Sequence, residues 1–203
     1  PRVFLTFEGT MDNVITLAHE LGHAWHNWLI RDLHMSQRSY PMTLAETASI
    51  FAETLVRSAL FEQARSAEER QAIAWAEADG AATFLVNIPA RFAFEQALVA
   101  EREQGYVSSA RLKALTDEAW GRWYEESLGR YHPMFWAAKA HFSIAGFGFY
   151  NYPYLFGYLF SLGVYQQLMS RKGAGEANVA EAYRALLRDT GRMSAEDLVA
   201  KHL

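Results

Sequence analysis

From Val14 onward apolar residues recur so densely that Val14, Ile15, Leu17, Ala18, Leu21, Ala24, Trp25, Trp28 and Leu29 touch every side of a helix. This pattern predicts a long, mostly buried helix, started by Thr10 or Asp12 as N-cap and carried to about Leu33. Thr43 with Glu46, and Ser66 with Glu69, have the spacing of capping boxes that open two further helices. Glu46, Ser49, Ile50, Glu53 and Arg57 share one face of the first of these. The next runs through Ala72, Ile73, Trp75 and Ala76 and is punctuated by Gly80 and Pro89, so a break or kink is expected near the proline. Phe92, Phe94, Ala97 and Leu98 then carry a helix to Gly105, and Ser108 or Ser109 caps another with the stripe Leu112, Leu115, Ala119, Trp120 and Trp123.

A turn at Tyr131 to Pro133 and a short helix from Met134 lead to His141, followed by a glycine-rich loop at Gly146 and Gly148 that enters a helix. Past Gly173 and Gly175, a helix from Glu176 to Arg188 and a last one capped by Ser194 close the chain. The one strand-like run is Val3 to Phe7. The expected class is mainly α, with one short N-terminal strand.

The 203 residues, 51% of them hydrophobic, suffice for one large core, and a single domain over 1–203 is expected. A net charge of −4 with interspersed signs and no basic cluster excludes a nucleic-acid binder. Phe142 to Ser170 carries no charge and is long enough to span a bilayer, but its glycines, Pro153 and scattered tyrosine hydroxyls oppose a membrane segment. The chain opens at Pro1 with neither an initiator Met nor a leader, and the expectation is a piece of a longer protein. Cysteine is absent, so any metal must be held by histidine and carboxylate.

The chemistry concentrates in His19, Glu20, Leu21, Gly22 and His23. Histidines four apart lie one above the other on a helix and reach one cation, while Glu20 projects about 100° away as a base for a metal-activated water. His26 lies one turn further along the same stripe, too far to share the metal, and is expected to bind a neighbouring carboxylate or backbone group. A third ligand is needed, and the next helix is the nearest source. Spacing favours Glu46, whose alternative is the capping box; Glu53 has the alternative of pairing with Arg57. Tyr150 and Tyr154 are packing aromatics or phenols able to donate to a developing oxyanion.

TLAHELGHAWH at 16–26, LAETASIFAET at 44–54 and HFSIAGFGFYNYPYLFGYLFS at 141–161 resemble the thimet-oligopeptidase-like family of zinc metallopeptidases, in its oligoendopeptidase F branch. The likeness covers nearly the whole chain. It implies a zincin-like helical catalytic domain, the C-terminal part of a longer enzyme whose missing N-terminal part walls the other side of the substrate channel. It further implies one Zn²⁺ held by His19, His23 and Glu46, with Glu20 as general base and Glu53 orienting a ligand histidine. His141, Tyr150, Tyr152 and Tyr154 would stabilise the transition state. The implied protein is a cytoplasmic endopeptidase acting on short peptides. The rivals are a zinc carboxypeptidase on a similar scaffold and a catalytically silent fragment of a split enzyme.

Overall fold

A computed structural model describes residues 2–144, 146, 148–173 and 178–203. Pro1, Phe147, and Gly175 with Glu176 at the expected start of the penultimate helix, lie outside the described residues. Among the described residues the α-helices are α1 (Met11–Leu29), α2 (Met42–Ala45), α3 (Thr47–Gln63), α4 (Ala67–Ala82), α5 (Ile88–Gln104), α6 (Ser109–Tyr124), α7 (Tyr152–Gly173), α8 (Val179–Asp189) and α9 (Ala195–His202). The class is mainly α, and Val3 to Phe7 forms no strand, since no ladder partner exists among the described residues. No helix there is long and apolar enough to cross a membrane. The chain divides into two compact units, Pro1–Glu77 with Phe156–Leu203, and Ala78–Leu155.

In the first unit, α1 starts at a capping box: the Asn13 amide donates to Thr10 Oγ1 at 3.2 Å, and Thr10 N–H donates to Asn13 Oδ1. The helix stops at Leu29, before the expected Leu33. There Arg31 donates to the Trp28 carbonyl and Arg188 to the Leu29 carbonyl, satisfying two acceptors that a longer helix would have paired internally. Nor is α1 buried all round. Ile15, Ala18, Gly22, His26 and Leu29 form its inner stripe, whereas Leu21 and Trp28 are 51% and 46% exposed. Trp25 stacks on Trp28, and Arg31 lies over the Trp28 ring, so these apolar side chains cover one another at the surface.

The inner stripe of α1 meets α3. His19 faces Glu53 and Gly22 faces Ala48, a descending match that makes the two helices antiparallel. Around them Leu29, Leu44, Ala48, Phe51, Phe160, Val164, Leu186, Leu187 and Leu198 form one core drawn from α1, α2, α3, α7, α8 and α9. Ser66 accepts from the Glu69 amide as expected, but the Glu69 carboxylate accepts from Arg65 N–H rather than from Ser66.

In the second unit α5 packs on α6 through Ala90, Phe94, Leu115, Ala119 and Trp120, and Ser108 rather than Ser109 caps α6. The disturbance expected at Pro89 is a π-helical turn at Thr83–Asn87, where Ile88 N–H bonds the Thr83 carbonyl. Proline lacks an N–H and crowds the carbonyl four residues back; widening the preceding turn relieves that conflict. Before α7 the chain makes two short 3₁₀ turns, Phe135–Ala138 and Ala140–Ser143, in place of a helix from Met134.

Candidate metal centre

Glu46 is the joint between α2 and α3, with φ −90° and ψ 1°, and this break aims its side chain at α1. The expected capping box is not formed there: Pro41 caps α2 two residues earlier, which places Thr43 inside that helix, and Ser49 Oγ donates to Glu46 Oε2 at 2.8 Å. Opposite stand the two histidines, one turn apart. His19 Nε2 and His23 Nε2 are 3.1 Å apart, and each is 3.3 Å from Glu46 Oε2. Tetrahedral sites with metal–ligand bonds of about 2.0–2.1 Å have ligand atoms about 3.3–3.4 Å apart. The triangle's edges of 3.1–3.3 Å are close to those spacings, and among the described residues it is a group of three side chains able to hold a metal ion.

Two glycines allow this approach. A β-carbon on Gly22 would lie 2.5 Å from the Ala48 carbonyl oxygen, and one on Gly157 would lie 2.6 Å from Glu46 Cβ. No larger residue fits at either position without moving a helix.

Glu53 reaches His19 from the other side of its ring. Its Oε1 accepts from His19 Nδ1 at 2.6 Å, and its Oε2 forms the expected pair with Arg57 Nη2 at 2.9 Å. With the proton on Nδ1, the Nε2 lone pair of His19 points at the triangle. Charge follows the same logic. Burial opposes a charged His19, yet the Glu46 and Glu53 carboxylates raise its pKa to about 9. Burial likewise opposes a charged Glu46, but hydrogen bonds from His19, His23 and Ser49 hold its carboxyl well below the usual carboxylate range. A centre that draws a proton onto His19 is one that attracts positive charge.

Glu20, off the histidine stripe, opens onto a cavity of about 340 Å³ that it lines with His23, Ala24, Asn27, Arg2 and Val3. His26 is fully buried and outside the triangle. Its Nε2 bonds Thr190 Oγ1 at 2.8 Å, its ring stacks on Tyr40, and burial lowers its pKa to about 4. It ties α1 to the end of α8.

The remaining expected residues gather in the second unit. His141 packs against Phe142 and Tyr150, Tyr150 meets Tyr154 edge-on at 5.9 Å, and Tyr152 sits against Phe92. Three residues not singled out from sequence join them. Asn151, 1% exposed, bonds His141 at 2.8 Å and Arg91 at 3.3 Å, while Glu95 accepts from the Phe149 amide at 2.6 Å. That amide belongs to a residue with φ 56°, an uncommon conformation for a bulky side chain. Burial raises the Glu95 pKa against the opposing Phe149 and Asn151 hydrogen bonds. The available signal was a charged pair, Arg91 and Glu95, one turn apart inside an apolar stripe.

A family model described as Peptidase family M3 matches residues 1–203. Group B oligopeptidase PepB of Streptococcus agalactiae is 28% identical over 190 residues, covering 92% of this chain and 30% of that protein. The chromosomal oligoendopeptidase F of Lactococcus lactis subsp. cremoris is 27% identical over 213 residues, covering 98% and 33% respectively. The chain thus spans about a third of the length of the curated relatives it matches. No solved structure matches it.

Proposed function

The chain belongs to peptidase family M3, and on that premise we propose that it is a zinc-dependent endopeptidase that hydrolyses internal bonds of short oligopeptides. The observation that carries this reading is the triangle of His19 Nε2, His23 Nε2 and Glu46 Oε2, with edges of 3.1–3.3 Å. These three residues hold one Zn²⁺, and residues 1–203 act as one catalytic domain within a longer cytoplasmic enzyme. Bound there, the ion supplies Lewis acidity, polarising a carbonyl and acidifying a water.

The other steps belong to side chains. Glu20, on the cavity beside His23, takes the proton of the attacking water at its carboxylate and passes it to the leaving amine. Glu53 keeps His19 in the tautomer whose Nε2 is a ligand. His141 and a tyrosine, Tyr154 first and Tyr150 or Tyr152 after it, donate hydrogen bonds to the oxyanion.

The test is digestion of peptides of graded length, with metal content measured on the same sample. Internal cleavage with one equivalent of zinc is expected. Loss of single C-terminal residues would convert the reading to a carboxypeptidase, and zinc without any cleavage would mark a silent fragment.

A further inference from the structure

We propose that Arg91 and Asn151 act as positioning residues that fix His141 in its Nδ1–H tautomer, so that the ring offers an N–H donor while remaining neutral. This rests on the oxyanion role proposed for His141.

The derivation starts from a residue with no ambiguity. A guanidinium has only donors, so the atom of Asn151 that faces Arg91 Nη1 at 3.3 Å is the amide oxygen. That leaves Asn151 Nδ2 facing His141 Nε2 at 2.8 Å. The amide nitrogen donates there, and Nε2 accepts only when it carries no proton. The proton of a neutral His141 is therefore on Nδ1. Turning the amide over would set its NH₂ against the guanidinium in a site where Asn151 is 1% exposed, leaving buried donors face to face.

Both partners are themselves held. The Asn151 carbonyl accepts from Tyr154 N–H at the start of α7, and the Arg91 guanidinium lies 5.1 Å from the centre of the Phe135 ring. Protonating His141 at Nε2 would oppose two donors, and the charges of Arg91 and Lys139 add to burial in lowering its pKa. Glu95 is the acidic group of this cluster, and its Oε1 is engaged by the Phe149 amide. A neutral donor aligned in advance suits an acceptor whose negative charge appears only during reaction, because no reorientation is required at that moment.

The experiment is long-range proton–nitrogen correlation of the histidine rings in the 203-residue chain, with His141→Gln identifying the signal among the seven histidines. The parent should show Nδ1 protonated and Nε2 unprotonated. Asn151→Asp puts an acceptor opposite Nε2; it should move the proton there, raise the titration midpoint by about one pH unit or more, and lower kcat by about 10- to 100-fold with KM nearly unchanged. Arg91→Met frees the amide to turn and should leave both tautomers populated. If Asn151→Asp does not fold, the parent spectrum and Arg91→Met decide. A proton on Nε2 in the parent, or a tautomer indifferent to these changes, overturns the proposal. Unchanged kcat in His141→Gln would instead sink the oxyanion role, with the tautomer result standing.

Discussion

Gly22 sits so close to Ala48 that a β-carbon on the glycine would be 2.5 Å from the alanine carbonyl oxygen. His19 and His23 flank that glycine on α1, and Glu46 lies two residues before Ala48. Gly22→Ala should therefore separate α1 from α3, at a cost of about 1–3 kcal/mol, and widen the triangle. Urea unfolding and zinc titration read the two effects, and wild-type values in both would show that the helices give way without loss.

On the proposed reading, removing a ligand differs from removing its support. Glu46→Ala should abolish tight zinc binding, whereas Glu53→Ala, which frees the His19 ring, should weaken it by about 10- to 100-fold. Competition with a chelator of known affinity measures both. Full zinc retention in Glu46→Ala together with loss in Glu53→Ala would exchange their roles.

On the proposed reading Glu20 acts on the water rather than on the ion. Glu20→Gln should keep one zinc per chain while kcat falls by about 10²- to 10⁴-fold, with KM little changed. Metal analysis and single-turnover kinetics on one preparation check this, and retained turnover would remove Glu20 from the mechanism.

The metal-free protein should carry a pH signature from His19, whose folded pKa of about 9 exceeds its ordinary 6.5. A raised value means that the folded state binds the proton more tightly. Its contribution is complete below pH 6.5 and is lost as pH rises to about 9. Glu46, lowered in the fold, has the opposite sign and loses its contribution as pH falls below the ordinary 4.5. The stability difference between wild type and His19→Gln, measured without metal, should shrink between pH 6.5 and 9. A difference that stays flat across that window would contradict the assignment.

Tyr154→Phe keeps the ring that meets Tyr150 and removes only the hydroxyl. A kcat loss of about 10²- to 10³-fold is expected, with an unchanged Tm. Wild-type rates in Tyr154→Phe, Tyr150→Phe and Tyr152→Phe alike would make the aromatic stretch a packing element.

Much of this was legible in the sequence because it depends on local spacing. Helical periodicity puts His19 and His23 on one face, Thr10 starts that helix, and the family suggested by three motifs agrees with the M3 family model that matches residues 1–203. Glu46 was legible as a candidate, but not its placement at a helix joint, because the spacing from Thr43 imitates a capping box while Pro41 starts the helix earlier. The exposure of Leu21 and Trp28 was hidden, since an apolar side chain reads alike whether it enters a core or lies on a surface. Asn151 and Arg91 stand 60 residues apart, and no local pattern announces that pairing.

The contact of Gly157 with Glu46 Cβ also binds the two positions into a shared mutational fate. A β-carbon at 157 requires position 46 to give up its own β-carbon, and Glu46→Asp makes no room because aspartate keeps that carbon. Only a glycine at 46 removes that 2.6 Å contact, so the cost of a larger residue at 157 depends on what stands at 46 and the two effects are non-additive. A position on α7 with no chemistry of its own thereby decides whether any carboxylate can stand at 46.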